Sequence, residues 1–136
     1  MKKLLFGMVV FLAILTSCSS KQEITESDLD KIQLGDTTSA LTEKYGEPDT
    51  TIDGDAARKK LVIYQDILKD SEPVESDAIT SDILEKALDA SEDAYQDDYL
   101  ELWEYNYKNK DGNKETFNVF VNNDKVIYLP NINSYK

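Results

Sequence analysis

The sequence predicts an α+β fold in two layers, with two or three short helices packed on an antiparallel sheet of about four strands. Three observations predict it. From Ser27 to Pro48, apolar residues recur at helical spacing and are punctuated by Gly35, Gly46 and Pro48. From Tyr99 to Leu129, three alternating runs are separated by Asp111-Gly112 and Asn122-Asn123-Asp124. The helices precede most of the strands, an order that suits helices lying across one face of a meander.

The chain opens with a different kind of segment. Lys2 and Lys3 form a short positive start, and Leu4 to Leu15 is a twelve-residue apolar run broken by Gly7. Small residues then lead to Cys18, the only cysteine of the chain. This is the layout of a bacterial secretory signal. Leu15-Thr16-Ser17-Cys18 resembles the lipobox of bacterial lipoproteins. The resemblance implies cleavage before Cys18 and a diacylglyceryl group on its thiol. It also implies a membrane anchor made of lipid, on the outside of the cytoplasmic membrane or in the outer membrane. The apolar run is shorter than the roughly 20 residues of a comfortable spanning helix. The alternative is an ordinary signal peptide with a chance cysteine, or an uncleaved anchor.

Removal of residues 1–17 leaves 119 of the 136 residues, one small domain on a tether. That length suffices to bury a core without staples, and no cysteine pair exists for a disulfide. The formal charge is −12, and loss of the two signal lysines takes it to −14. Such a charge repels phosphate backbones, so nucleic acid is not expected as a partner, and a cationic protein surface, or divalent cations, would be attracted. Its simplest role is solubility.

Residues 18–26 read as the lipidated tether, residues 27–130 as the domain and residues 131–136 as a loose tail. In the domain, Ser27 is placed to cap a first helix carrying Leu29 and Ile32, with Asp28 and Asp30 near its positive end. Gly35 ends this element. Thr37 or Thr38 caps a second helix with Ala40, Leu41 and Tyr45 on its apolar side, closed by Gly46 and Pro48. Asp53-Gly54-Asp55 signals a turn, and the run from Leu61 to Ile67 reads as a first strand. An acidic insertion follows at about 66–98. It holds a loop from Asp70 to Asp77 and a third helix over Ile79–Tyr95 capped by Ser81, or else is irregular throughout. The next strand, Tyr99 to Tyr107, places Tyr99, Trp103, Tyr105 and Tyr107 on one face, interrupted by Glu101, and Leu100 and Leu102 on the other. Phe117, Val119 and Val121 alternate in its successor, and Lys125 to Leu129 returns as the last strand before Pro130.

Ile32-Gln33-Leu34-Gly35-Asp36-Thr37, Leu41 and Tyr45-Gly46-Glu47-Pro48 resemble the opening of the SmpA/OmlA (BamE-like) lipoprotein family. Trp103-Glu104-Tyr105 and the hairpin Val119 to Val126 resemble that family's central strand and closing hairpin. The likeness spans roughly residues 28–129, apart from the acidic insertion. Asp36 stands where the family usually has Met. The resemblance implies a fold shared with β-lactamase-inhibitor-like domains and a role as accessory module in envelope or outer-membrane protein assembly.

No histidine is present. The commonest general base and metal ligand are therefore missing, as is any Ser-His or Cys-His pair. A carboxylate-pair glycosidase is left open by the many acids, but solvated surface acid is the simpler reading and the chain is expected not to be an enzyme. No metal or cofactor is expected either. Asn109-Lys110-Asp111-Gly112-Asn113 begins like a calcium loop, yet its Gly is fourth rather than sixth and Phe120 stands where a bidentate acid belongs. Turn chemistry explains it better.

The candidate protein-binding residues are Tyr99, Trp103, Tyr105 and Tyr107, which form either core or an amphipathic interface. The function that follows is a lipid-anchored, non-enzymatic envelope lipoprotein acting through protein binding. The alternatives are an inhibitor of a secreted or envelope enzyme and a small-ligand sensor.

Overall fold

The computed structural model describes residues 23–73 and 79–136. Cys18, the apolar run before it and most of the tether lie outside the described residues, as does part of the acidic loop, residues 74–78. Among the described residues no helix is long and apolar enough to cross a membrane.

The elements run α1 (Glu26–Leu29), α2 (Thr38–Tyr45), β1 (Thr50–Asp53), α3 (Gly54–Asp70), α4 (Ser81–Gln96), β2 (Glu101–Lys108), β3 (Lys114–Val121), β4 (Val126–Tyr128) and a closing 3-10 turn (Ile132–Tyr135). The four strands form one antiparallel sheet in sequence order. The fold is thus α+β, with a helical hairpin, α3–α4, inserted between the first two strands.

Both faces of the sheet are covered. On one, Leu29, Ile32, Leu41 and Tyr45 from the α1–α2 region pack on Tyr105, Val119 and Val121. On the other, Ala57 and Leu61 of α3 and Ala87 and Ala94 of α4 pack on Leu102, Phe120 and Tyr128. The helical layer expected from the sequence is the first of these. The second comes from α3 and α4, so the segment between the first two strands starts at Gly54 rather than at about residue 66.

Capping sets the first helices. Thr25, not Ser27, caps α1: its hydroxyl accepts from the Asp28 N–H while the Asp28 carboxylate accepts from the Thr25 N–H. Thr37 caps α2, its hydroxyl accepting from Ala40 N–H at 3.1 Å. Leu41 and Tyr45 face inward, whereas Ala40 is exposed, because α2 is shallow and buries only a narrow stripe. Gly46 ends the helix at φ +80°, a conformation costly for any side chain. The intervening Gly35–Thr38 turn docks on the closing hairpin. Gly35 N–H donates to Val126 O at 2.9 Å, Val126 N–H to Asp36 O at 2.8 Å, and Thr38 N–H to Asp124 O at 2.9 Å. These bonds cover the outer edge of β4, which would otherwise be open to pairing.

The run Leu61–Ile67 is helix, not strand. It lies inside α3, whose Ala57, Leu61, Tyr64 and Leu68 recur four and three residues apart and pack on the sheet. No Gly or Pro interrupts residues 55–70, and the periodic burial overrides the local β-branched pair Val62-Ile63. The first strand is instead β1, whose Thr50 to Asp53 pair with Glu104 to Glu101. The third expected helix is present as α4, capped by the Thr80 hydroxyl rather than Ser81. Its small inward residues Ala87, Ser91 and Ala94 let it approach α3 and the sheet closely.

The β2–β3 hairpin is in register from Glu101↔Val121 to Lys108↔Lys114. A bulge between β3 and β4 pairs Phe120 with Tyr128 and Val121 with Val126. The extra residue lets Val126 and Tyr128 serve opposite cores although they are two apart.

Both ends of the domain differ from expectation. Ile24 is buried, and Thr25 bridges Lys108, so the fold begins inside the expected tether. Residues 131–136, expected as a loose tail, carry Tyr135 into the second core. Its hydroxyl donates to Leu129 O at 3.0 Å and accepts from Leu129 N–H at 3.1 Å.

Candidate protein-binding surface

The four candidate aromatic residues do not form one surface. Tyr105 is fully buried, its ring set edge-on to Tyr45 at 6.3 Å and its hydroxyl donating to Gly46 O at 3.2 Å. Trp103 is half-buried against the same core and donates its indole N–H to Glu101 Oε2 at 3.0 Å. The α1–α2 layer covers this face of β2, which makes the middle of the stripe core rather than interface.

Tyr107 lies at the hairpin end, in a cleft of about 510 Å³ lined also by Ile24, Asp49, Lys108, Lys114 and Glu115. Its hydroxyl donates to Glu115 Oε2 at 2.7 Å, and Asn109 Nδ2 donates to Glu115 Oε1 at 2.8 Å. These bonds favour the carboxylate and hold Glu115 below the usual range. The bond to Glu115 also pushes the Tyr107 phenol up to about 12. The adjoining Asn109–Asn113 segment is a hairpin turn whose Asn109 Oδ1 accepts from the N–H groups of Asp111 and Asn113. Among the described residues, no group of three or more His, Cys, Asp or Glu side chains is placed to hold a metal ion.

Tyr99 stands apart. It precedes β2 and is 64% exposed. It borders a cleft of about 480 Å³ lined by Asp53, Asp55, Asp98, Glu101 and Asn123. The corner that carries it is braced from three elements. Asp97 Oδ1 accepts from the Tyr99 N–H at 2.8 Å, and Asp97 Oδ2 accepts from Asn122 Nδ2 at 3.2 Å. Arg58 of α3 donates to Asp97 O at 2.9 Å and to Tyr95 O at 3.0 Å, and pairs with Asp55 at 3.3 Å. An exposed aromatic ring beside four carboxylates offers acceptors and a π face to lysine or arginine side chains.

Arg58 and Asp97, which hold this corner, were not apparent in the sequence. They are 39 residues apart, and their pairing depends on α3 and α4 folding back on each other.

Titration of the buried phenols makes one prediction. Burial pushes Tyr105 up to about 12 and also raises Tyr128 and Tyr135. Tyr107 is raised by its bond to Glu115. The folded state therefore keeps protons that the unfolded chain releases near pH 10. The stability these phenols contribute is complete below pH 10 and is lost as pH rises through 12. Urea midpoints are expected to hold steady up to about pH 10 and then fall. A flat profile to pH 12 would contradict the assignment.

No family model matches the chain, and no curated protein or solved structure matches it.

Proposed function

We propose that the chain is a lipid-anchored, non-enzymatic binding module of the bacterial cell envelope. It recognises a cationic protein surface through the corner formed by Tyr99, Asp53, Asp55, Asp98 and Glu101. The observation that carries this reading is the exposed Tyr99 ring on a braced acidic rim. Rigid aromatic residues lose little entropy on binding and are enriched among residues that dominate interface energies. The formal charge, −12 for the full chain and −14 without residues 1–17, steers a basic partner toward the domain. The lipobox-like Leu15 to Cys18 supports the anchor. The SmpA/OmlA-like punctuation from Ile32 to Pro48 supports an accessory role in envelope protein assembly.

The test is cross-linking in intact cells with the native protein, followed by mass spectrometry. A stoichiometric envelope partner with a basic contact surface is the expected capture. Tyr99→Ala is expected to reduce it by about tenfold or more, the effect of losing an interface aromatic, while leaving stability within about 0.5 kcal/mol. Unchanged capture by that variant would move the binding site elsewhere. The same acidic corner also suits inhibition of a basic secreted enzyme, and capture of such an enzyme, with salt-sensitive affinity, would place inhibition first.

Anchoring has its own test. Cys18→Ala is expected to leave the precursor without lipid and uncleaved at this site, seen as an unshifted mass. Normal processing of that variant would sink the anchor.

A further inference from the structure

Helix α3 has two seams. Ala57, Leu61, Tyr64 and Leu68 face the sheet. Around the other side, Ala56, Lys60, Ile63, Ile67 and Asp70 recur at the same alternating spacing of four and three, and all five are exposed. Ile63 and Ile67 are 55% and 58% exposed, large values for β-branched apolar side chains. A four-three repeat is the pattern by which one helix packs along another. The two isoleucines are also flanked by opposite charges, Lys60 on the N-terminal side and Asp70 on the C-terminal side. Neither makes an ion pair among the described residues.

We propose that this seam is a homodimer interface, with α3 packed antiparallel against α3 of a second copy. A two-fold axis level with Gln65 sets Ile63 of each copy opposite Ile67 of the other, and Lys60 opposite Asp70. From Lys60 to Asp70 the seam therefore matches itself, apolar against apolar and positive against negative, as an isologous contact requires. A parallel pairing would set lysine against lysine and aspartate against aspartate, so the charges select the antiparallel arrangement. Among the described residues nothing buries the seam, whose five positions are all exposed. The C-terminal end of α4 is bonded to Arg58 on another side of α3. A single pair of 17-residue helices buries less than a standard interface of roughly 1,600 Å², which makes the dimer concentration-dependent.

The test uses the full chain, expressed in bacteria with a photoreactive phenylalanine analogue in place of Ile67. The expected product has twice the mass of the chain, and its cross-linked peptides join position 67 to the segment around Ile63 of the second copy. Lys60→Asp turns two attractions into two repulsions and is expected to lower the yield by about tenfold, the equivalent of about 1.4 kcal/mol. Adding Asp70→Lys to Lys60→Asp restores complementarity and is expected to restore the yield. Both positions are exposed, and unchanged circular dichroism confirms that the variants fold. The proposal is overturned by a product joining position 67 to position 67, by capture of a different protein, by absence of a dimer, or by a yield indifferent to the charge reversal.

Discussion

Replacing Tyr105 by alanine is expected to destabilise the domain by about 3–5 kcal/mol, the range for removing a large buried ring. The ring is fully buried between β2 and α2, and its hydroxyl closes the end of α2 at Gly46 O. The deletion leaves a cavity beside Tyr45, Val119 and Val121 in a core that five separate segments line. Urea denaturation measures the loss directly. Tyr99→Ala under the same conditions is expected to change stability by no more than about 0.5 kcal/mol, because that ring is mostly in solvent. The two tyrosines belong to one stripe in the sequence and to opposite categories in the fold. Similar costs for both variants would contradict the burial that separates them.

The second large effect is expected at the last turn. Tyr135→Ala should cost about 3–5 kcal/mol, because the ring packs 6.2 Å from Tyr128 and lies within the second core. Tyr135→Phe keeps the packing but leaves the N–H of Leu129 without its phenol partner, at a cost of about 1–3 kcal/mol. A residue in a loose tail would show neither loss. The comparison of the two variants therefore tests whether residues 131–136 are part of the domain, and it separates packing from hydrogen bonding at that site.

Where the sequence was legible, local rules and tertiary packing agree. Thr37, Gly46 and Pro48 delimit α2 as expected, because an N-cap hydroxyl, a glycine at positive φ and a ring-locked proline each act over one or two residues. The meander β2–β3–β4 follows from period-two alternation and from turns whose Asn109 and Asn122 side chains satisfy nearby backbone N–H groups. The exposed Tyr99 was within reach of the sequence as a member of the stripe, although its place on an acidic corner was not.

Where the sequence misled, a local preference opposed a longer period. Leu61-Val62-Ile63-Tyr64 has strand-like composition, yet it lies in a helix whose burial repeats over Ala57, Leu61, Tyr64 and Leu68. The longer window held the signal. β1 is only four residues, and three of them are exposed, so it shows almost no alternation to detect. Thr25 and Thr80 cap their helices in place of Ser27 and Ser81 because a cap is decided by where the first intrahelical bonds form, which neighbouring hydroxyls do not fix.

By itself the sequence determined the class of the fold, the meander, the boundaries of α2 and the acidic charge. Each depends on contacts short in sequence or on composition alone. Only the tertiary structure decided that the sheet is covered on both faces, that Tyr105 is core while Tyr99 is surface, and that Tyr135 completes the second core. Those outcomes depend on which face each helix layer occupies. That choice is made by apolar surfaces far apart in the chain burying one another.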